Sequence, residues 1–291
     1  MSDAQNEKTP GLSPDEEQEV SHNQPPRAAV LHEIIRAQGD HELERTLAAL
    51  WWSALAAGLT MGLSLMAMGL FYARLPEGDS AQVIASLGYS AGFLAVILAR
   101  QQLFTENTLT AVLPLMTTPT LTNLGRLLRL WTVVLLGNLA GTLLVAWVML
   151  ELPIFDSKTD VAFLDVGRKV MENGISQMFA KGIVSGWMIA TMVWMIPSME
   201  HAKIWIILMI TYLMALGDFT HIVVGSVEVS YLVWAGEQSW SAFWLDFALP
   251  TLSGNIIGGS FIFALISHAQ VRSDSGKPPS KLLKHDKQAR N

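Results

Sequence analysis

Leu103-Phe104-Thr105-Glu106-Asn107 and Gly217-Asp218-Phe219-Thr220-His221 are polar interruptions, each set inside a long apolar run. Backbone N–H and C=O groups at membrane depth need partners, so non-helical chain persists there only when packed in protein or lining a cavity. Two such interruptions mark where a membrane protein does its work, and they point to the movement of a solute.

Working outward, apolar runs cover 47–73, 83–116, 127–150, 176–197, 203–234 and 246–267, with the interruptions in the second and fifth. A run of about 20 residues spans a hydrocarbon core of about 30 Å. The two interrupted runs are half as long again, which suits a half-helix, a loop and a second half-helix that together cross once. With 51% hydrophobic and 15% charged residues and ten tryptophans, the chain reads as an all-α membrane protein with six transmembrane helices. Arg36, Arg45, Arg126, Arg129, Lys203, Arg272, Lys277, Lys281 and Lys284 fall on the side shared by the two tails, against Arg74, Lys158, Arg168 and Lys169 opposite. That bias predicts cytoplasmic termini. Trp51, Trp52, Trp131, Trp147, Trp194, Trp205, Trp234 and Trp244 lie near span ends, as anchors at the membrane interface do.

The flanks differ from the centre. Residues 1–26, rich in Pro and acidic side chains, have too little apolar surface to fold and are expected to be a disordered cytoplasmic tail. Over 27–46, Val30, Leu31, Ile34, Ile35 and Leu43 recur at helical spacing, predicting an amphipathic cytoplasmic helix at the membrane surface or a solvated lead-in to the first span. The transport domain is expected over 47–268 and a basic cytoplasmic tail over 269–291. No cleavable signal is expected, because the apolar sequence begins too late. The net charge of −6 stems largely from the amino-terminal tail and implies no nucleic-acid partner. Zero cysteines exclude disulfides and thiolate metal sites. With no metal-ligand cluster, phosphate-binding glycine loop or nucleophile elbow, neither an enzyme nor a cofactor is expected.

An internal repeat adds detail. Leu136-Gly137-Asn138-Leu139-Ala140-Gly141 and Ser253-Gly254-Asn255-Ile256-Ile257-Gly258 both follow an interrupted run, and their Asn residues stand 117 positions apart. The same offset carries Phe104 onto His221, making the interruptions equivalent points of two halves. Three spans per half is an odd number, so the halves must insert with opposite orientation, as two inverted three-helix repeats. Asn138 and Asn255 are read as structural, bonding across helices that small residues allow to approach.

The run Leu103-Phe104-Thr105-Glu106-Asn107-Thr108, His221 and the Gly-Asn pairs resemble the formate/nitrite transporter family over about residues 45–270. Arg100-Gln101-Gln102 and Thr220-His221-Ile222-Val223-Val224-Gly225-Ser226-Val227-Glu228 resemble its YfdC-type inner-membrane branch. The resemblance implies an aquaporin-like protomer, a homopentamer in the cell inner membrane, and passage of small monovalent anions such as formate, nitrite or hydrosulfide, often with a proton. It also implies that Thr105 faces the solute and that Leu103 and Phe104 form the cytoplasmic constriction. Counting back by whole turns places Phe93 and Tyr89 on a related face.

The residues carry their own chemistry. A histidine inside a span is costly unless it faces a cavity or finds a partner, and its pKa makes it responsive to a nearby anion. His221 is therefore the expected centre of a proton-linked anion path, the plainer role being a neutral ring that bonds Thr105 and fixes the loop. Each restarting half-helix presents free N–H groups to an anion, with Thr105 or Asn107 expected to cap the first and Asp218 or Thr220 the second.

Several residues depart from the family pattern. Gln102 replaces an acidic residue, Glu106 a small one and Gly225 an asparagine. Arg100 and Glu228 are additions, expected to pair as Arg100 with Glu106 or Glu228. Lys169 lies near the family's lysine but one position away. These departures keep open a neutral small-solute pore. A non-transporting membrane scaffold acting through the acidic tail is the remaining alternative.

Overall fold

The computed structural model describes residues 26–76 and 78–275, together with Ser13, Asp15, Glu16, Glu19 and Val20. The disordered tail expected over 1–26, and the basic tail beyond Ser275, fall almost wholly outside the described residues. Among the described residues every regular element is helical.

Helix α1 (Ala28–Glu44) precedes α2 (Leu47–Tyr72), which starts where Thr46 Oγ1 accepts a hydrogen bond from Ala49 N at 3.3 Å. Next come α3 (Asp79–Ala85), a 3₁₀ turn (Ser86–Tyr89) and α4 (Ser90–Leu98). Non-helical chain follows, and the helix resumes as α5 (Asn107–Thr110) and α6 (Val112–Thr117). Thr120 caps the long α7 (Leu121–Glu151), and Asp156 caps α8 (Ser157–Met171). α9 (Ile175–Met195) leads through two 3₁₀ turns to α10 (Lys203–Leu216) and α11 (Ile222–Trp234). The last rod begins with α12 (Trp240–Ala242) and continues as a wide π segment (Phe243–Ala248), α13 (Leu249–Ile256), a second π segment (Ile257–Ala264) and α14 (Leu265–Ser275). Helix thus continues seven residues beyond His268, where the basic tail was expected to begin.

Among the described residues five stretches are long and apolar enough to cross a membrane: Leu47–Tyr72, Asp79–Leu98, Leu121–Glu151, Ile175–Ser198 and Trp240–Ser273. Lys203–Leu216 and Ile222–Trp234 are apolar but shorter. Large apolar side chains such as Trp52, Leu128, Trp205, Leu245 and Phe261 remain exposed on the outside of the bundle, a surface suited to lipid or to neighbouring protomers.

The two helices that carry the Gly-Asn pairs are each crossed at backbone contact. A Cβ added to Gly58 of α2 would lie 2.2 Å from Asn138 O of α7, and one added to Gly186 of α9 would lie 2.3 Å from Asn255 O of α13. Any side chain at either position would force the helices apart.

Two elements add to the expected layout. The loop anticipated between the third and fourth runs contains α8, whose Thr159, Ala162, Phe163, Val166 and Gly167 bury one face. Its apolar spacing and Asp156 cap were readable, but its charged face kept it below the hydropathy of a span. Helix α1, expected as an amphipathic helix at the membrane surface or a solvated lead-in to the first span, packs one face on the protein. Ile35 is fully buried and Leu43 nearly so, and a Cβ on Gly39 would strike Thr110 O at 2.0 Å, so α1 packs directly on α5.

Candidate solute path at two matched helix breaks

Helices α4 and α10 end in the same way. Arg100 N donates to Ile97 O at 3.2 Å and Gln101 N to Val96 O at 3.0 Å; Asp218 N donates to Ala215 O at 3.2 Å and Phe219 N to Met214 O at 2.9 Å. Both ends are Schellman caps, with Arg100 (φ 53°) and Asp218 (φ 51°) in the left-handed position that glycine usually fills. Every equivalence here is offset by 118 positions.

The asparagines read the same register. Asn138 Oδ1 accepts from Phe104 N at 2.9 Å, and its Nδ2 donates to Gln102 O and Ala54 O, both at 2.8 Å. Asn255 Oδ1 accepts from Ile222 N at 2.9 Å, and its Nδ2 donates to Thr220 O at 3.1 Å, Gly182 O at 2.9 Å and Ser185 Oγ at 2.8 Å. The residue held between the clamped groups is Leu103 in one break and His221 in the other. Leu103, not Phe104, is therefore the counterpart of His221. The offset of 117 fits the asparagines alone, because the spacing from break to asparagine is one residue longer in the first half.

His221 occupies the N-cap of α11. Its Nδ1 accepts from Val223 N and Val224 N, both at 3.3 Å, so the neutral ring carries its proton on Nε2. That Nε2–H donates to Thr105 Oγ1 at 2.7 Å, joining the two breaks by one side-chain bond. The hydrogen of the Thr105 hydroxyl has no acceptor among the described residues. Phe93 meets the imidazole edge-on at 5.1 Å between ring centroids, and Tyr89 stacks on Phe93 at 5.4 Å.

The expected caps are corrected by this geometry. Asp218 and Thr220 do not cap α11: Asp218 Oδ1 pairs with Lys169 Nζ at 2.8 Å, and Thr220 Oγ1 donates to Met178 O at 2.9 Å. Thr105 and Asn107 do not cap α5, whose N-cap is Glu106 without a side-chain bond. Asn107 Nδ2 instead donates to Gln102 Oε1 at 3.0 Å and Leu103 O at 3.3 Å. The start of α11 is also closed to an anion. Ile222 N is taken by Asn255, Val223 N and Val224 N by His221 Nδ1, and Gly225 N by His221 O.

A cavity of about 700 Å³ opens beside α8 and descends to His221. Tyr89, Met214, Lys169, Asp218, Gly225 and Glu228 line it, whereas Thr105, Phe93, Leu103, Phe104, Arg100 and Glu106 do not. Beyond His221 the interior is packed. Thr105, Phe93 and Leu103 are fully buried, and Phe104 sits edge-on against Trp131 at 5.8 Å. This cavity, the vestibule, thus ends at the histidine, and closely packed apolar and aromatic side chains lie beyond it.

Arg100 is exposed and forms no ion pair with Glu106 or Glu228. Glu228 is only 4% exposed and faces the vestibule. Gly225 has a steric reason: a Cβ there would lie 2.7 Å from the Phe247 ring. Phe247 gave no signal in the sequence. Glu42 of α1 also escaped notice: its Oε2 accepts from Gln102 Nε2 at 2.8 Å and from Arg45 Nη1 at 3.0 Å. Gln102 is thus neutral where it receives a carboxylate from α1, and an acidic residue there would meet like charge.

Comparison with known proteins gives the family and the fold. Residues 29–269 match the sequence pattern of the formate/nitrite transporter family. The chain is 58% identical over 250 residues to inner membrane protein YfdC of Escherichia coli (strain K12), covering 86% of this chain and 81% of that one. It is 23% identical over 234 residues to formate channel FocA of Haemophilus influenzae, covering 70% of this chain and 81% of the relative. A solved pentameric formate channel with formate bound superposes with a TM-score of 0.67 at 19% identity, covering 78% of this chain and 98% of that chain, and so shares the fold. On the strength of the pattern across its membrane region and of the 58% identity, the chain belongs to the formate/nitrite transporter family.

Proposed function

We propose that the protein carries small monovalent anions of the formate, nitrite or hydrosulfide type across the cell inner membrane, linked to protons through His221. In this reading the chain crosses six times in two inverted three-helix repeats, with spans two and five broken at 99–106 and 217–221. Both termini face the cytoplasm, and five protomers form a ring with one path in each. The matched Schellman caps and asparagine clamps support the repeat, and the pentameric formate channel of the same fold supports the ring.

The observation that carries the proposal is the bond from His221 Nε2 to Thr105 Oγ1 at the floor of the vestibule. Thr105 accepts from the ring and keeps its own O–H to donate to a dehydrated anion. A second proton can reach the ring only at Nδ1, where it displaces two N–H donors. The ring therefore stays neutral until a negative charge beside Thr105 compensates that loss. Proton and anion then arrive together, which is the link.

Leu103, Phe104 and Phe93 form the barrier in this scheme. An apolar constriction excludes hydrated ions and keeps the electrostatics around the histidine strong. Tyr89 guides solute down the vestibule wall, and Lys169 draws anions to its rim. Asn107, Asn138, Asn255 and Asp218 hold the two breaks in shape.

Uptake of labelled formate into proteoliposomes, with nitrite and hydrosulfide as competitors, tests this across about pH 5 to 8. Saturable, competed uptake that rises with acidity is expected of the wild type. His221→Ala is expected to lose the acid dependence, and Thr105→Val to lose flux while assembling normally. Absence of any anion uptake by folded, assembled wild type would refute the proposal.

A further inference from the structure

Glu228 has no part in the path described so far. It lies two turns beyond His221 in α11, and about 10 Å of helix axis separates the two positions. It is nine-tenths buried, lines the vestibule, and has neither a hydrogen bond nor an ion pair among the described residues. One carboxylate oxygen stands 3.9 Å from the place a Gly225 side chain would begin, so the missing Cβ leaves the group open to the cavity.

The charges facing Glu228 do not neutralise it. From α8, Lys169 is held by Asp218 at 2.8 Å, and Asp165 is bonded to Arg168 at 2.6 Å. Tyr72 of α2 and Tyr89 of the 3₁₀ turn line the same cavity and carry hydroxyls without charge. Asp79 adds a further carboxylate and Lys158 a second lysine, while His221 below has its Nδ1 lone pair committed. A solute anion passing through the vestibule meets a carboxyl group with no ion pair among the described residues just before the histidine. Two carboxylates at such range cannot both remain charged, and the stable arrangement shares one proton between them.

We propose that Glu228 is a path residue that shares a single proton with the solute on the vestibule side of His221, so that the protein selects small weak acids and passes them to the histidine in neutral form. This rests on the reading of the path given above and names its substrate class. In the shared state one proton bridges an oxygen of Glu228 and an oxygen of the solute, and the pair carries one negative charge. As the solute moves on, its O–H bond is kept whole, Glu228 is left as carboxylate, and vestibule water returns a proton to it. The anion and proton that His221 requires together thus arrive as one neutral molecule. An anion of a strong acid cannot hold the proton and is turned back by the carboxylate.

The test compares formate with nitrate, a small anion of a strong acid, in proteoliposomes of the full chain at clamped membrane potential, with proton uptake read in parallel. Wild type is expected to take up one proton per formate, to gain about tenfold in formate flux per unit fall in pH above the solute's own pKa, and to exclude nitrate. Glu228→Gln is expected to lose the proton, flatten the pH profile and admit nitrate, whereas Glu228→Asp keeps the proton. Formate uptake in Glu228→Gln with an unchanged proton ratio and pH slope overturns the proposal and leaves the anion path standing. Wild type that carries nitrate as readily as formate overturns it without any variant. Wild type that carries neither defeats the path on which the proposal rests.

Discussion

At the scale of single residues, the asparagines show how a break can exist inside an apolar bundle. A helix that stops and restarts leaves N–H and C=O groups without partners, and one carboxamide supplies both an acceptor and two donors in a rigid plane. Asn255 uses all of them, on Ile222 N, Thr220 O, Gly182 O and Ser185 Oγ. Asn255→Ala is therefore expected to cost at least about 2 kcal/mol, because several buried backbone groups lose partners at once. A lowered melting temperature of the assembled protein in detergent would register it, and Asn138→Ala should behave alike. Arg100 makes the opposite prediction. It holds a left-handed conformation at φ 53° with no ion pair among the described residues, so Arg100→Gly is expected to raise the melting temperature by relieving about 1 kcal/mol. Asp218→Gly is expected to gain less, since it also gives up the pair with Lys169.

At the scale of elements, α1 couples the amino-terminal region to the first break through Glu42 and Gln102 and to the last rod through His32 and His268, whose ring nitrogens approach to 3.0 Å. Burial lowers the pKa of His32, and the charge of His268 lowers it further. The docked state therefore favours the neutral ring, and the sign follows. This contribution is fully present above the undocked value of about 6.5 and is lost as pH falls toward the lowered one. Protection of the amides over 28–44, taken relative to the intrinsic exchange rate at each pH, is expected to be lower at about pH 5.5 than at about pH 7.5, and His32→Phe is expected to remove the difference. Equal protection at both pH values in the wild type would show that the histidine pair does not hold the helix. The amphipathic pattern of α1 was legible, but its partner was not. An apolar stripe fits lipid or protein equally well, and only the close approach of Gly39 to Thr110 O shows that α5 takes part of it.

At the scale of the whole molecule, the vestibule exists because α8 folds back over α11, which needs Gly167: a Cβ there would lie 2.6 Å from Glu228 O. If both termini are cytoplasmic, α8 and the vestibule mouth face the opposite side. The chain has no cysteine, so single replacements report topology directly. Lys158→Cys is expected to react with an impermeant maleimide from outside intact spheroplasts, whereas Ser198→Cys should react only after lysis. The reverse pattern would invert the topology.

The sequence by itself determined the membrane class, the positions of the two breaks and the pairing of each with a Gly-Asn helix. Hydropathy and small-residue spacing are local properties of the chain, and bilayer thickness and close helix crossing act on them directly. Only the tertiary structure decided the register between the two breaks, the joining of Thr105 to His221, the use of His221 as a cap and, among the described residues, the lack of an ion pair at Arg100 and at Glu228. Those outcomes depend on which donors and acceptors from distant segments arrive at one point, and the nature of a side chain limits its partners without choosing among them.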